Sequence, residues 1–127
     1  MHRSKLVAIG IDCQNTDIVA AAKFWGAALG RAAPSQIDAE DPRYLQIGDK
    51  QDPLITFCRN VDHPSGLHLD IESDDVEAEV ARLERLGATR VKKVKTWWVL
   101  QAPTGQRFCV VRPQRGTMPA DANVWDE

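Results

Sequence analysis

Gly66-Leu67-His68-Leu69-Asp70-Ile71, running on to Asp74-Asp75, has the layout of Ala8-Ile9-Gly10-Ile11-Asp12-Cys13 running on to Thr16-Asp17. Each copy reads as an alternating strand, a helix cap, and a helix that ends in Leu-Gly, at Leu29-Gly30 and again at Leu86-Gly87. Each then continues into strands that close on Phe-Cys, at Phe57-Cys58 and Phe108-Cys109. A unit used twice predicts a pseudo-twofold fold, with equivalent residues facing one cavity.

Outward from these repeats, Leu6 to Cys13 is expected to form the first strand, and Thr16 or Asp17 to cap the first helix. Ile18, Ala21, Ala22, Trp25, Ala28 and Leu29 recur there at helical spacing, and Gly30 supplies a left-handed stop. Tyr44 to Ile47 and Leu54 to Arg59 read as strands joined by the turn-rich run Gly48 to Pro53. In the second copy, Asp74 with Glu77 resembles a capping box, and Val76, Val80, Leu83 and Leu86 form one buried stripe. Ala88 to Val94, Trp97 to Gln101 and Phe108 to Arg112 complete the strands. The tail from Pro113 to Glu127 is expected to be loose up to Val124-Trp125, the segment that docks.

Composition narrows the class. A chain of 127 residues, 43% hydrophobic and 27% charged, suits one compact soluble domain with a real core. The net charge of -2, with acids and bases interleaved, offers no field for nucleic acid or an anionic membrane, so the partners expected are a small organic molecule and a second copy. Only three cysteines occur, no apolar run approaches spanning length, and Met1-His2-Arg3-Ser4-Lys5 leads straight into a strand pattern. The expected address is the cytoplasm.

Strand parity turns this layout into a candidate site, because neighbours on a strand point to opposite faces. Leu67, Leu69 and Ile71 are expected to cover the helix, with His68 and Asp70 turned away, and Gly10 and Asp12 take the equivalent face in the first copy. Thr56 and Cys58 join that face if Ile55 and Phe57 pack under the helices, and Arg107, Cys109 and Val111 join it opposite Phe108 and Val110. Asp12, His68, Asp70, Arg107 and two thiols on one face suit a partly enclosed pocket.

Each of these residues has two readings. His68 is either a strand histidine satisfied by its neighbours or a ligand contact, and Asp12 and Asp70 either accept structural hydrogen bonds or supply a general base. Arg107 either pairs with them or clamps a substrate carboxylate. Trp97 and Trp98 must point to opposite faces. One of them, with Tyr44, forms an aromatic wall, or both fill a core and a dimer seam. Trp25 and Cys13 read as core, and His2 and His63 as surface.

The pattern resembles the vicinal oxygen chelate superfamily, in its glyoxalase and bleomycin-resistance branch. The residues that carry the likeness are Ile11-Asp12-Cys13, Ala21-Ala22-Lys23-Phe24-Trp25 through Ala28-Leu29-Gly30, and His68-Leu69-Asp70-Ile71 with Asp75-Val76. Arg82-Leu83 with Leu86-Gly87-Ala88, and Trp98 through Pro103 to Gly105 and Phe108-Cys109, complete it, so that it spans nearly the whole chain to about Arg112. The resemblance implies an α+β fold of two tandem βαβββ modules, near residues 5–60 and 66–112 of a single domain 1–112, with 113–127 as a tail. In such folds a curved mixed sheet forms an open cup with the helices on its outer face, usually in a dimer.

Metal-using relatives place one ligand on the first and last strand of each module. Carried over by position, these fall on Gly10, Cys58, His68 and Cys109, of which only His68 matches. An oxygen-rich site for Mn, Mg or Fe cannot be built from that set. No cofactor is therefore favoured, and the metal alternative is zinc held by Cys58, His68 and Cys109, against which stands the ordinary role of cysteine as a small buried hydrophobe.

Three functions follow. The leading one is a protein that binds an organic ligand in an aromatic and acidic cup, with Trp97, Trp98, Tyr44, Arg107 and Thr56 as contacts. Its alternatives are a lyase or isomerase that uses His68 with Asp12 or Asp70, or a zinc form of it, and a dimeric interaction module with a vestigial cup.

Overall fold

The computed structural model describes residues 1–126; residue 127, the last of the tail, lies outside them. The fold is α+β, with the order β1 (His2–Gln14), α1 (Ile18–Leu29), β2 (Tyr44–Ile47), β3 (Ile55–Val61), β4 (Gly66–Ser73), α2 (Val76–Arg85), β5 (Thr89–Val94), β6 (Trp97–Gln101), β7 (Arg107–Val111) and β8 (Asn123–Trp125). The strands pair in mixed ladders, and the chain divides into two compact units. One unit is Ala8–His68; the other joins Met1–Val7 to the chain from Leu69 onward.

In the first unit the strand order is β2-β3-β1, with β1 parallel to β3 and β2 antiparallel to it. Helix α1 starts because the Asp17 carboxylate accepts from the amides of Val19 (3.0 Å) and Ala20 (3.4 Å). It stops at Gly30, whose φ of 69° lies in the left-handed region that costs other residues a Cβ clash. Ile18, Ala21 and Ala22 of α1 bury against Ile11, Cys13, Leu45, Ile47 and Cys58, with Trp25 packed on the rim. A fully buried Ile such as Ile47 contributes roughly 1.5–3 kcal/mol over its exposed state.

The second unit runs β4-β7-β6-β5, and its core is Val80, Ala88, Leu100 and Val110, bordered by Val76, Leu83, Trp98 and Phe108. The cap of α2 is Asp75, which accepts from the Ala78 amide at 3.1 Å. The expected cap, Asp74, instead accepts from the backbone amide of Arg3 at 2.8 Å. Leu86 also departs from expectation: it follows the helix end and is 67% exposed, outside the stripe.

The first strand is longer than its apolar alternation indicates. His2–Ser4 extends it by pairing antiparallel with Asn123–Trp125, so the tail does dock through Val124-Trp125. His2, expected at the surface, is buried, and its Nε2 meets Glu79 Oε1 at 2.7 Å. Glu79 also receives both Nε (2.8 Å) and Nη2 (2.9 Å) of Arg82, whose guanidinium lies 3.8 Å from the centre of the Trp125 ring, while Trp125 Nε1 donates to Ser4 Oγ at 2.8 Å. A buried polar network, in which His2 Nδ1 alone of the His2 ring has no hydrogen-bond partner among the described residues, replaces the alternation that marks an ordinary half-buried strand.

Candidate functional site

The site lies within the Ala8–His68 unit. Ile11, Cys13, Leu45, Ile47 and Cys58 turn into the α1 core, so the residues between them take the opposite face: Gly10 and Asp12 of β1, Tyr44 and Gln46 of β2, Phe57 and Arg59 of β3. Register places Phe57 between Gly10 and Gln46, and Arg59 between Asp12 and Tyr44.

On this face His68 Nδ1 meets both carboxylate oxygens of Asp12, at 3.0 and 3.1 Å. The imidazole lies over Gly10; a Cβ at that position would collide with its Cε1, Nε2 and Nδ1. Phe57 packs against the imidazole with ring centres 5.5 Å apart at 66°, and Tyr44 lies 4.9 Å from Phe57 at 34°. The His68 and Asp12 side chains keep 16% and 11% of their exposure, so the pair is drier than a surface pair yet open to a ligand. Because a carboxylate only accepts, the bond fixes the proton of a neutral imidazole on Nδ1 and puts the lone pair on Nε2.

The parity expected of β3 is reversed. Phe57 shares the face of His68, whereas Cys58 is fully buried under α1 and Thr56 is buried, receiving Arg31 Nη1 at 3.1 Å and donating to Ile47 O at 3.4 Å. Ile55, Thr56, Phe57 and Cys58 are all buried, so no polar residue marks which face meets the helix. Burial first, then the charge and hydrogen bond of Cys13, push the Cys58 thiol up to about 12. A thiolate there is suppressed at neutral pH. The expectation for β4 is also corrected: Leu67 and Leu69 are 66% and 45% exposed, and neither belongs to the core under α2.

The remaining candidates sit in the other unit. Asp70 is in register with Cys109, which is half-buried, and Val99 follows on β6. Arg107 is exposed at the start of β7. Trp98 packs on the α2 core, donates from Nε1 to Glu77 Oε1 at 2.8 Å and lies under Arg90, so it joins the helical side, and Trp97 takes the opposite face. Glu72, which sequence reasoning passed over, is buried on the Asp70 face of β4. Burial raises its carboxyl above the usual range, against the lowering effect of the Gln114 amide and Arg115; Asp70 adds to the rise.

A family model described as a glyoxalase-like domain matches residues 8–111. The chain belongs to this family. Glyoxalase-like domains are members of the vicinal oxygen chelate superfamily, and solved structures share the fold. The methylmalonyl-CoA epimerase from Mycobacterium tuberculosis is 15% identical, covering 85% of this chain and 87% of its own, with a TM-score of 0.60. A methylmalonyl-CoA epimerase in complex with methylmalonyl-CoA and an ammonium ion is 15% identical over 86% of this chain and 95% of its own, with a TM-score of 0.52. A glyoxalase/bleomycin resistance protein/dioxygenase superfamily member from Vibrio splendidus 12B01 is 16% identical over 84% and 98%, with a TM-score of 0.51. A comparison with proteins of curated function finds no match.

This glyoxalase-like domain does not fit the four-position metal set that the resemblance implies. Gly10 has no donor and its side-chain space is taken by the imidazole, while Cys58 lies in the helical core with a suppressed thiolate. The zinc alternative fails at the same residue. Gln46, Phe57 and Arg59 of the domain's open face were missed by sequence reasoning. Once Phe57 is known to face His68, the period of two along β2 and β3 finds the other two.

Proposed function

We propose that this protein binds a small organic molecule on the face that carries Asp12, His68, Phe57 and Tyr44, without the divalent metal set of its metal-using relatives. The observation behind this reading is the hydrogen bond from His68 to Asp12, at 3.0 Å, beside two aromatic rings. Aromatic walls with a few fixed polar groups are the usual make-up of small-ligand sites. The bound methylmalonyl-CoA of one structural neighbour adds support for an organic ligand in this fold, although the fold alone does not name it. A homodimer in the cytoplasm is the expected setting.

The same hydrogen bond favours an acid–base reading of lyase or isomerase type. Asp12 orients the imidazole, and Nε2 removes a proton from carbon next to a carbonyl and returns it, with Asp12 stabilising the imidazolium between the two transfers. Positioned proton transfer of this kind contributes roughly 10²–10⁴-fold in rate.

The test is a screen of carbonyl compounds, thioesters and aromatic drugs, followed through the imidazole resonances of His68, with deuterium incorporation from heavy water as the catalytic readout. Binding predicts compounds that shift the His68 and Tyr44 signals. The acid–base reading further predicts deuterium wash-in that His68→Gln abolishes and Asp12→Asn slows by about 10²-fold or more. No perturbation by any compound would contradict the binding reading; binding without wash-in would leave a sequestering protein.

A further inference from the structure

Two polar groups on the His68 face, the Gln46 amide nitrogen and the Arg59 guanidinium, have no hydrogen-bond partner among the described residues. Gln46 Nε2 is buried and has no hydrogen-bond partner among the described residues. Buried amide donors are almost always satisfied, because leaving one unpaired forfeits its hydration with nothing in return. Arg59 is half-buried, and among the described residues its guanidinium has no hydrogen bond or ion pair. Its neighbour in register, Asp12, has its carboxylate committed to His68.

The register brings these donors to one place. Arg59 lies between Tyr44 and Asp12 in the ladder, Gln46 is beside Phe57, and Phe57 is two residues from Arg59 on the same face of β3. A rigid aromatic ring is thus flanked by a guanidinium fork and an amide N–H, and next to it stands the imidazole that Asp12 orients. A guanidinium with its fork uncommitted matches the paired oxygens of a carboxylate, and an amide donor matches a further lone pair on the same group. Its positive charge also offsets the Asp12 carboxylate, which otherwise repels an anion.

We propose that the ligand of this face carries a carboxylate, received by Arg59 and Gln46, with its organic body against Phe57 and Tyr44. The proposal rests on the binding reading above and adds the ligand's charge and the residues that recognise it. It assigns recognition to two residues of β2 and β3 and not to Arg107, the clamp that the sequence suggested.

The experiment uses benzoate and its neutral isostere benzamide as probes, titrated against the intact protein by NMR, with the His68 and Tyr44 resonances as reporters. Benzoate is expected to bind at least about tenfold more tightly than benzamide, the ratio that one charge-assisted contact supplies. Arg59→Gln removes that preference, Arg59→Lys restores part of it, and Gln46→Leu weakens benzoate by severalfold while the native fold is confirmed by an unchanged amide spectrum. Equal affinity for the two probes, or a benzoate preference that survives Arg59→Gln, overturns the proposal but leaves the binding reading intact. A role for Arg59 as mere counter-charge to Asp12 changes both affinities alike, which also overturns it. If neither probe shifts His68 or Tyr44 at any concentration, the proposal fails, while the binding reading is decided by the wider screen of carbonyl compounds, thioesters and aromatic drugs.

Discussion

The imidazole of His68 occupies the space that any side chain at Gly10 would need. The two positions are therefore coupled: the absence of a Cβ on β1 is what lets β4 lay its histidine flat against the strand and reach Asp12. Gly10→Ala is expected to destabilise the protein by about 1–3 kcal/mol through overpacking and to break the bond to Asp12. In a His68→Ala background the same change is expected to cost far less, and a double-mutant cycle by chemical denaturation reads the coupling. Additive effects would show that the ring can move aside freely.

Glu79 makes a prediction in the acidic range. Burial raises its carboxyl, but the hydrogen bonds from Arg82, His2 and Ser4 and the charge of Arg82 outweigh that and hold it below its usual value of 4.5. Its stabilising contribution is thus fully present above that value and lost as the pH falls through the lowered one. Glu79→Gln is expected to cost about 3–5 kcal/mol near neutrality, since it removes the charge that pairs with Arg82 and replaces one of the two acceptor oxygens by an N–H, and to remove this component of acid sensitivity. Urea titrations across the acidic range give both numbers.

Glu72 predicts the opposite sign. Its carboxyl is raised by burial, so the unfolded chain ionises first, and stability is lost as the pH rises from 4.5 through the raised value. Glu72→Gln is expected to raise the melting temperature at neutral pH and to have little effect well below pH 4.5. A variant less stable than the native protein at neutral pH would show that the Gln114 amide and Arg115 hold the ionised form.

The three cysteines are expected to differ in reactivity. Cys13 and Cys58 are buried and their thiols are raised, Cys58 to about 12, so a thiol reagent at neutral pH is expected to label Cys109 first and the other two only on unfolding. For the same reason Cys58→Ala is expected to leave any metal content of the purified protein unchanged. Loss of bound metal in that variant would restore Cys58 as a ligand.

Elements with a local signal were legible in the sequence. Asp17 and Gly30 mark the ends of α1 because a cap and a left-handed stop depend on neighbouring residues alone, and β2 and β6 fall where their apolar runs lie. The acidic and imidazole pair was also legible: Asp12 and His68 share a face as their alternation predicted. The face of β3 was not, because Ile55 to Cys58 is buried on both sides and period two vanishes when both faces are covered. Leu67 and Leu69 misled for a related reason, since an apolar residue does not report its own exposure. His2 depends on a partner, Glu79, 77 positions away in the chain, which no local pattern encodes.

The pairing of His68 with Asp12 is the claim from which the rest follows, and the ring's nitrogen resonances measure it. In alkaline solution, where the imidazole is neutral, His68 is expected to hold the Nδ1–H tautomer, shifting toward a mixture in Asp12→Asn. A dominant Nε2–H tautomer in the native protein, or one that Asp12→Asn leaves unchanged, would contradict it.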